Sequence, residues 1–487
     1  MEINDLTPAE ERVWRAFPTG APVDFREGTD EDTAEGARWG PERTVRAAVL
    51  RALLLNGPQD PGEIAALKVS GARITGPLDL RYGTSDFAVR LSHCHFDEIP
   101  QLYGARLRQL NLSNSVLPGL VAATMRVDGV LRLTDCRFGG QVRLGGAHIT
   151  GALFMDRAEC AAPDDSEGAL HLNHVTIGDD LWAPGLRADG EVRLNSAEVA
   201  GSVRLNGARL NRPGGAALDG ETLTVQGDVL MRQVHSDGWI GLRGARIAGR
   251  LELSHARLSN RGDTALRASS CTIGELWLRK GPPMDGALNL RRAQIEVLFL
   301  EPEMLPTEVF LGDLVYTSLT PHVPADHRLP MLERDGDGYV PHAYEQLSAA
   351  YRRVGDDHAA RLVQLAKQRR LRRTRAWYGR LWGYVQDATV GYGFHPLRAA
   401  VWLLSLLAVG SLAYGLHHPP ALKPSEAPHF NPVFYTLDLL LPVISFGQEE
   451  AFAPDGWYQY LAYALIITGW ILATTVVTGV TRTVSRQ

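Results

Sequence analysis

Ala197-Glu-Val-Ala-Gly-Ser-Val-Arg-Leu205 returns 48 residues later as Ala245-Arg-Ile-Ala-Gly-Arg-Leu-Glu-Leu253, and Ala293-Gln-Ile begins a third, fading copy. Other landmarks keep the same step: Ala169-Leu170, Ala217-Leu218 and Ala265-Leu266, and likewise Asp189-Gly190, Asp237-Gly238 and Asp285-Gly286. A fixed period of this length is the signature of a repeat architecture. The repeat therefore decides the fold class.

A finer period, of about 11 residues, lies inside each copy. The glycines Gly227, Gly238 and Gly249 mark it. Around them apolar and polar residues alternate, which indicates short β-strands. Two such runs and their turns give coils of about 22–25 residues, a length typical of a parallel β-helix. We therefore predict a mainly β protein, a right-handed parallel β-helix solenoid. A small alanine should stack at an inner corner of its coils: Ala72, Ala147, Ala197, Ala208, Ala245 and Ala256.

Two other repeat folds share part of this pattern. Leucine-rich repeats have a similar period, but they carry one strand per repeat, whereas this motif returns twice within each coil. A pentapeptide-repeat helix matches Gly104-Ala-Arg-Leu and Gly207-Ala-Arg-Leu, but the chain does not sustain a step of five. Both remain alternatives to the parallel β-helix.

Composition limits the functional classes. The chain of 487 residues is long enough for more than one domain, and its net charge of −5 argues against a nucleic-acid partner. The four cysteines, Cys94, Cys136, Cys160 and Cys271, form no Cys-x-x-Cys pair, which indicates buried packing roles in a reducing compartment. Residues 1–20 contain acids and no apolar run, so we expect no secretory signal.

Four segments follow from the pattern along the chain. Residues 1–62 should form an N-terminal helical cap, with a capping box at Thr7-Pro8-Ala9-Glu10 and a helix over Glu42–Leu55. Residues 63–320 are the solenoid, 321–396 a linker with a C-terminal helical hairpin and a basic segment, and 397–487 a membrane domain. Loops at 161–168, 211–215 and 260–264 should project from one edge, the natural binding side of a solenoid.

The last segment contains two apolar stretches that we call the uncharged runs: about 397–416, in which residues 399–416 carry no charge, and 460–480. Their length of about 18–21 residues predicts two transmembrane helices. A basic run precedes the first and is expected to contact anionic lipid: Lys367, Arg369, Arg370, Arg372, Arg373 and Arg375. By the positive-inside rule, the protein is predicted in the cell membrane, with the N-terminus, the solenoid and the C-terminus all cytoplasmic.

Between these runs, residues 432–441 predict a short re-entrant or interfacial helix that begins after Asn431 and ends at Pro442. The arrangement resembles two-helix ion channels, and the resemblance implies pore-loop candidates at Asp438, Ser445, Gly447 and Gln448. However, Ser445-Phe446-Gly447-Gln448 lacks the paired glycines and tyrosine of a potassium filter. The letters Thr389-Val-Gly-Tyr-Gly393 do spell such a filter, but they precede the first uncharged run, so we interpret them as a turn.

The whole chain is also similar to a family of actinobacterial membrane proteins commonly labelled membrane-associated oxidoreductases. That label implies a redox cofactor, yet no Gly-x-Gly-x-x-Gly follows a strand and opens a helix, so no cofactor is predicted. His93-Cys94-His95 is not a predicted metal site, because Cys94 should point away from both histidines in a strand. Asp189, Asp237 and Asp285 are stacked acids such as those of β-helical lyases, but each precedes a turn glycine.

We therefore predict a membrane-anchored interaction scaffold or sensor, whose solenoid presents a rigid surface to a protein partner of unknown identity. An oligomeric channel with a cytoplasmic regulatory solenoid is the first alternative, and it implies a homo-oligomer. A membrane-associated oxidoreductase is the second. No catalytic residue is predicted.

Overall fold

The computed structural model describes residues 5–28, 31–162, 168–374, 376–378, 380, 383–384, 387, 396–423, 427–441 and 444–484. The sequence candidates Arg375, 389–393 and Pro442 lie outside these residues. The chain divides into two compact units, Met1–Gln346 and Leu347–Gln487, which are described separately below.

The first unit is a parallel β-solenoid of about 11 turns, as predicted. Its coils place strands in two sheets, and neighbouring coils pair in parallel. The strands of one sheet are Val23–Asp24, Ala66–Ser70, Thr84–Ser92, Arg106–Asn111, Arg126–Val127, Leu131–Arg132, His148–Ile149, Leu153–Phe154, Thr176–Ile177, Leu181–Trp182, Glu198–Val199, Val203–Arg204, Thr224–Val225, Val229–Leu230, Arg246–Glu252, Thr272–Leu278, Gln294–Leu300 and Val315–Thr320. Those of the other are Thr44–Arg46, Arg73–Thr75, His95–Phe96, Val116–Leu117, Leu120–Val121, Arg137–Phe138, Val142–Arg143, Glu159–Ala161, Leu170–His171, Arg187–Asp189, Val192–Arg193, Arg209–Asp219, His235–Gly241, Arg257–Arg267, Asp285–Asn289 and Val309–Phe310.

The core is a set of apolar ladders inside the coils. One of them places β-branched side chains in direct register, and all of its members are buried: Val127, Ile149, Ile177, Val199, Val225, Ile247, Ile273 and Ile295. Burying each such side chain contributes about 1.5–3 kcal/mol. The corner alanines named above are buried as well, which confirms their predicted position.

The register of the strands explains the long period of the sequence. In one ladder Thr176 pairs with Glu198, and Glu198 pairs in turn with Thr224. The second of these steps is four positions longer than the first. The next two pairs, to Arg246 and then to Thr272, repeat the short step and the long step. One repeat is therefore two coils, a shorter one followed by a longer one.

The four extra residues of every second coil form exposed bulges in the second sheet. The pairing register shifts between Asn211 and Ala216, and again between Ser259 and Thr264. We call 211–216 and 259–264 the projecting loops. They lie at equivalent positions two coils apart, as the sequence predicted, while residues 163–167 of the earlier loop lie outside the described part of the chain.

Helices and 3-10 turns lie before the first full coil. Helix α1 (Pro8–Ala16) begins with the predicted capping box, in which Thr7 and Glu10 bond each other's backbone N–H. The helix predicted over 42–55 is shorter: α2 spans Ala47–Asn56, and Thr44–Arg46 is instead a strand that pairs with Arg73–Thr75. The turns are Thr33–Arg38, Pro41–Arg43 and, late in the solenoid, Pro302–Met304.

The remaining helices follow the solenoid. Their bounds are α3 Ala325–Glu333, α4 Pro341–Arg353, α5 Asp357–Thr374, α6 Pro396–Leu416, α7 Pro432–Leu440 and α8 Trp457–Val484. In the second unit, α6, α7 and α8 share a buried cluster that includes Tyr414, Tyr435, Leu440 and Leu465.

The prediction of two transmembrane helices is wrong. Helices α6 and α8 do form over the uncharged runs, but within the described residues no helix combines the length and apolarity that crossing a membrane demands. An uncharged run shows only that a helix is apolar. Part of that apolar surface packs within the second unit, where Tyr414 of α6 and Leu465 of α8 belong to the shared cluster.

Candidate binding surface

An outward column of basic residues runs along the second sheet, beside the projecting loops. Arg187, Arg209, His235 and Arg257 are partners in successive coils, and all four are exposed. Adjacent strands lie about 4.8 Å apart. We call these four residues the arginine column.

Two members of the arginine column have no acidic partner. Arg187 pairs with Glu159 at 2.8 Å, but neither Arg209 nor Arg257 forms an ion pair within the described part of the chain. Their neighbours two positions along the strand, Asn211 and Ser259, are neutral. Both arginines thus stand free beside a projecting loop, on strands that are two coils, or about 9.6 Å, apart.

A polar cleft of about 650 Å³ lies at the N-terminal end of this column. Its walls include Arg137, Arg157 and Arg187. Arg137 contacts Asp32 at 3.1 Å and Arg157 contacts Asp135 at 2.6 Å. Because these arginine side chains are more than half exposed, such pairs contribute little stability, about 0.2–1 kcal/mol each, and can exchange partners.

His93 also lines the cleft. It has a positive φ of 53°, and its Nδ1 atom is buried without a hydrogen-bond partner among the described residues. Burial lowers the pKa of His93, and the nearby Arg26 lowers it further. The imidazole is therefore neutral at pH 7 and adds no charge to the cleft.

The stacked acids are separated from one another by neutral residues. Asp189, Asp237 and Asp285 alternate along one ladder with Asn211 and Ser259, so neighbouring acids are two coils, or about 9.6 Å, apart. The Arg261 guanidinium lowers the pKa of Asp285. A glycosidase general acid needs a raised pKa, whereas that of Asp285 is lowered, so Asp285 is not set up for that role.

Two tryptophans of the first sheet contact arginine side chains. Arg204 lies 4.7 Å from the ring centre of Trp182, and Arg250 lies 4.2 Å from that of Trp277. Phe299 stacks near the other face of Trp277, with ring centres 5.2 Å apart. Each ring is thus in contact with at least one protein side chain.

Beside Trp277, Glu252 is buried within a cluster of arginines. Its carboxylate contacts Arg232 at 2.6 Å, Arg279 at 3.6 Å and the Ser254 hydroxyl at 3.0 Å. Burial by itself raises the pKa of Glu252, but the hydrogen bonds from Arg232 and Ser254 outweigh burial and leave the pKa lowered. The carboxylate thus stabilises the fold in its ionised form.

We expect Glu252→Gln to lower the free energy of unfolding by about 2 kcal/mol at pH 7. The folded pKa lies below the unfolded value, so this stabilisation is full above about pH 4.5 and is lost as pH falls through the folded pKa. Urea unfolding at pH 7 and pH 3 measures both values. Glu221→Gln, at an exposed pair with Arg243, is the control and should cost under about 0.5 kcal/mol. An unchanged pH profile in Glu252→Gln would contradict this role.

The motif His93-Cys94-His95 does not lie within one strand as predicted: His93 and Cys94 lie between the strands Thr84–Ser92 and His95–Phe96. Cys94 is buried in the core, whereas both histidines are partly exposed and His95 Nδ1 lies 3.2 Å from the Thr33 carbonyl oxygen. Among the described residues, no three histidine, cysteine or acidic side chains are grouped to hold a metal.

The four cysteines should be unreactive in the folded protein. All are buried and unpaired, and burial raises the pKa of Cys94, Cys160 and Cys271 to about 12 and that of Cys136 as well. Since the thiolate is the nucleophile, native protein should show almost no reaction with a thiol reagent at pH 8, and denatured protein should show four reactive thiols. Rapid native labelling of any of them would contradict the buried placement.

The pore-loop candidates lie close together in the second unit, where hydrogen bonds from two of them hold the loop that follows α7. The buried Asp438 carboxylate accepts the backbone N–H groups of Phe446, Gln448 and Glu449. The Gln448 side chain accepts the N–H of Asn431 at 3.1 Å. These contacts fix the loop after α7.

Ser445 and Gly447 shape the tip of that loop. The Ser445 hydroxyl accepts the Gly447 N–H at 3.2 Å, and Gly447 has a positive φ of 78°. Burial raises the pKa of Glu449, as does the nearby Asp438. The geometry accounts for all four candidates as loop-forming residues, and their role in conduction stays a prediction.

The basic run lies on and after α5. Lys367, Arg369, Arg370, Arg372 and Arg373 belong to that helix. Two of them share one acid: Arg369 and Arg372 both contact Asp387 at 3.1 Å. Contact of the run with anionic lipid stays a prediction.

The sequence analysis missed the arginine column. A signal was present, because Ala208-Arg-Leu210 and Ala256-Arg-Leu258 are identical and occupy the same place in consecutive repeats. Comparison with protein-family models, with curated proteins and with solved structures finds no match. The resemblances to two-helix channels and to membrane-associated oxidoreductases therefore stay predictions.

Proposed function

We propose that this protein is an interaction scaffold whose solenoid binds an acidic segment of a partner protein along the arginine column. One observation carries the proposal: Arg209 and Arg257 occupy equivalent positions of two consecutive repeats, and both are exposed without an acidic partner among the described residues. Unpaired arginines favour carboxylates, which they can bind through two parallel hydrogen bonds.

The spacing of the two guanidinium groups specifies the bound segment. The strands that carry them are two coils, or about 9.6 Å, apart along the solenoid axis. A polyproline II segment has three residues per turn and rises about 3.1 Å per residue, so every third side chain returns to one face after about 9.3 Å. A segment with a carboxylate at every third residue would place successive acids against Arg209 and Arg257.

A fluorescein-labelled peptide of four Glu-Pro-Pro repeats tests the proposal by anisotropy with the full-length protein. We expect binding that weakens as salt rises, and an affinity at least about tenfold lower for the Arg209→Ser, Arg257→Ser double variant. Arg246→Ser is the matched control, because Arg246 is equally exposed but lies on the other sheet. Equal affinity for a Gln-Pro-Pro peptide, or an unchanged affinity in the double variant, would overturn the proposal.

A further inference from the structure

Helix α8 carries an exposed stripe of large apolar side chains. We call Trp457, Tyr460, Tyr463, Ile467 and Trp470 the outer stripe; each side chain is 52–78% exposed. The members follow one another at intervals of three or four positions, so the stripe follows one face of the helix. This is the spacing with which one helix packs lengthwise against another.

The orientation of α8 is fixed by its opposite face. Leu465 and Leu472 are buried, and Leu465 belongs to the cluster shared with α6 and α7. A Cβ atom added to Gly469 would lie 2.3 Å from the Leu440 carbonyl oxygen, so α8 meets the end of α7 backbone to backbone. The outer stripe therefore cannot turn inward without breaking this packing.

The exposed area is large enough for a stable dimer. Side chains of this kind bury about 150–250 Å² each, so the outer stripe leaves roughly 600 Å² uncovered. Helix α6 adds Val401, Leu404, Leu412 and Leu416, each 63–74% exposed. Together the exposed apolar side chains of α6 and α8 come to on the order of 1,000 Å² per copy, against the roughly 800 Å² that each partner contributes to a standard interface.

We infer that a second copy of this chain covers the outer stripe, with the two α8 helices side by side about a twofold axis. In such a contact the same patch serves both copies, so it must be complementary to itself. An uncharged stripe meets that condition, and residues 457–480 contain no Asp, Glu, Lys or Arg. The dimer is independent of the arginine column, which lies in the other unit.

The mass of the full-length protein in buffer, measured by sedimentation at micromolar concentration, tests the inference. We expect a particle of twice the chain mass. Tyr460→Lys with Ile467→Lys should yield the single-chain mass, because two stripes cannot bury four opposed ammonium groups. The control pair Tyr460→Phe with Ile467→Leu keeps the stripe apolar and should remain dimeric.

A cross-linking experiment keeps the inference testable if the lysine variant does not fold. Ile467→Cys should form a disulfide-linked dimer on mild oxidation, whereas Arg187→Cys, at an exposed site on the solenoid, should not. A wild-type monomer, a dimer that survives both lysines, or equal cross-linking at the two sites would overturn the inference. So would a monomer that floats with phosphatidylcholine vesicles, since lipid would then be what covers the stripe.

Discussion

Replacing Gly286 with valine is expected to lower the free energy of unfolding of the solenoid by about 3 kcal/mol or more. Gly286 has φ 134°, a conformation that side chains rarely adopt. A Cβ atom there would also lie 2.7 Å from the Asn260 carbonyl oxygen and 2.9 Å from the Ala265 Cβ. The glycine is needed because the projecting loop of the preceding coil passes directly against it. Guanidinium unfolding followed by circular dichroism measures the loss.

Gly262→Val is the matched control for this prediction. Gly262 lies in the projecting loop with φ 78°, but no heavy atom lies within 4 Å of an added Cβ. The substitution should add only backbone strain and should lower the free energy of unfolding by about 1–2 kcal/mol. Equal losses of unfolding free energy in the two variants would show that contact with the projecting loop of the preceding coil does not explain why Gly286 is glycine.

Replacing Asp438 with alanine should disorder the loop after α7 and lower the free energy of unfolding of the second unit by about 3 kcal/mol or more. The carboxylate accepts three backbone N–H groups, from Phe446, Gln448 and Glu449, and each buried donor left unpaired costs about 1–3 kcal/mol. Amide hydrogen exchange at these three residues should accelerate strongly.

Two further variants serve as controls for Asp438→Ala. Asp438→Asn keeps one carbonyl acceptor and should lose less than Asp438→Ala. Asp455→Ala removes an exposed acid from the same connecting segment and should have little effect. If amide exchange at Phe446 and Gln448 were unchanged in Asp438→Ala, the Asp438 carboxylate would not be what holds the loop after α7.

The solenoid could be predicted because the alternation of apolar and polar residues in its sequence is the pattern that its strands require. Alternating residues form the strands, and the corner alanines are buried as expected. The recurring pair of Ala217 with Gly238, and of Ala265 with Gly286, reflects a stacked contact that a larger side chain would break. The meaning of the long period was not predicted: only the strand register showed that one repeat is a shorter coil followed by a longer one.

Other features depend on contacts that a sequence does not show. The uncharged runs predicted membrane spans, yet how an apolar helix uses its surface depends on what it packs against. Asp438 and Gln448 were candidates for a pore. Only the fold shows that the Asp438 side chain accepts backbone N–H groups of the loop after α7, and that the Gln448 side chain accepts the N–H of Asn431. Arg209 and Arg257 looked like other arginines of the repeat until the structure showed which ones lack an acidic partner among the described residues.

A charge-reversal experiment tests the binding scaffold most directly. Arg209→Glu with Arg257→Glu should abolish binding of the Glu-Pro-Pro peptide and create binding of a Lys-Pro-Pro peptide, because the two side chains would then present carboxylates at the same spacing of about 9.6 Å. Anisotropy titrations of both peptides against wild type and variant give the ratio of affinities. The account predicts that the preference inverts. A variant that still prefers the acidic peptide would contradict it.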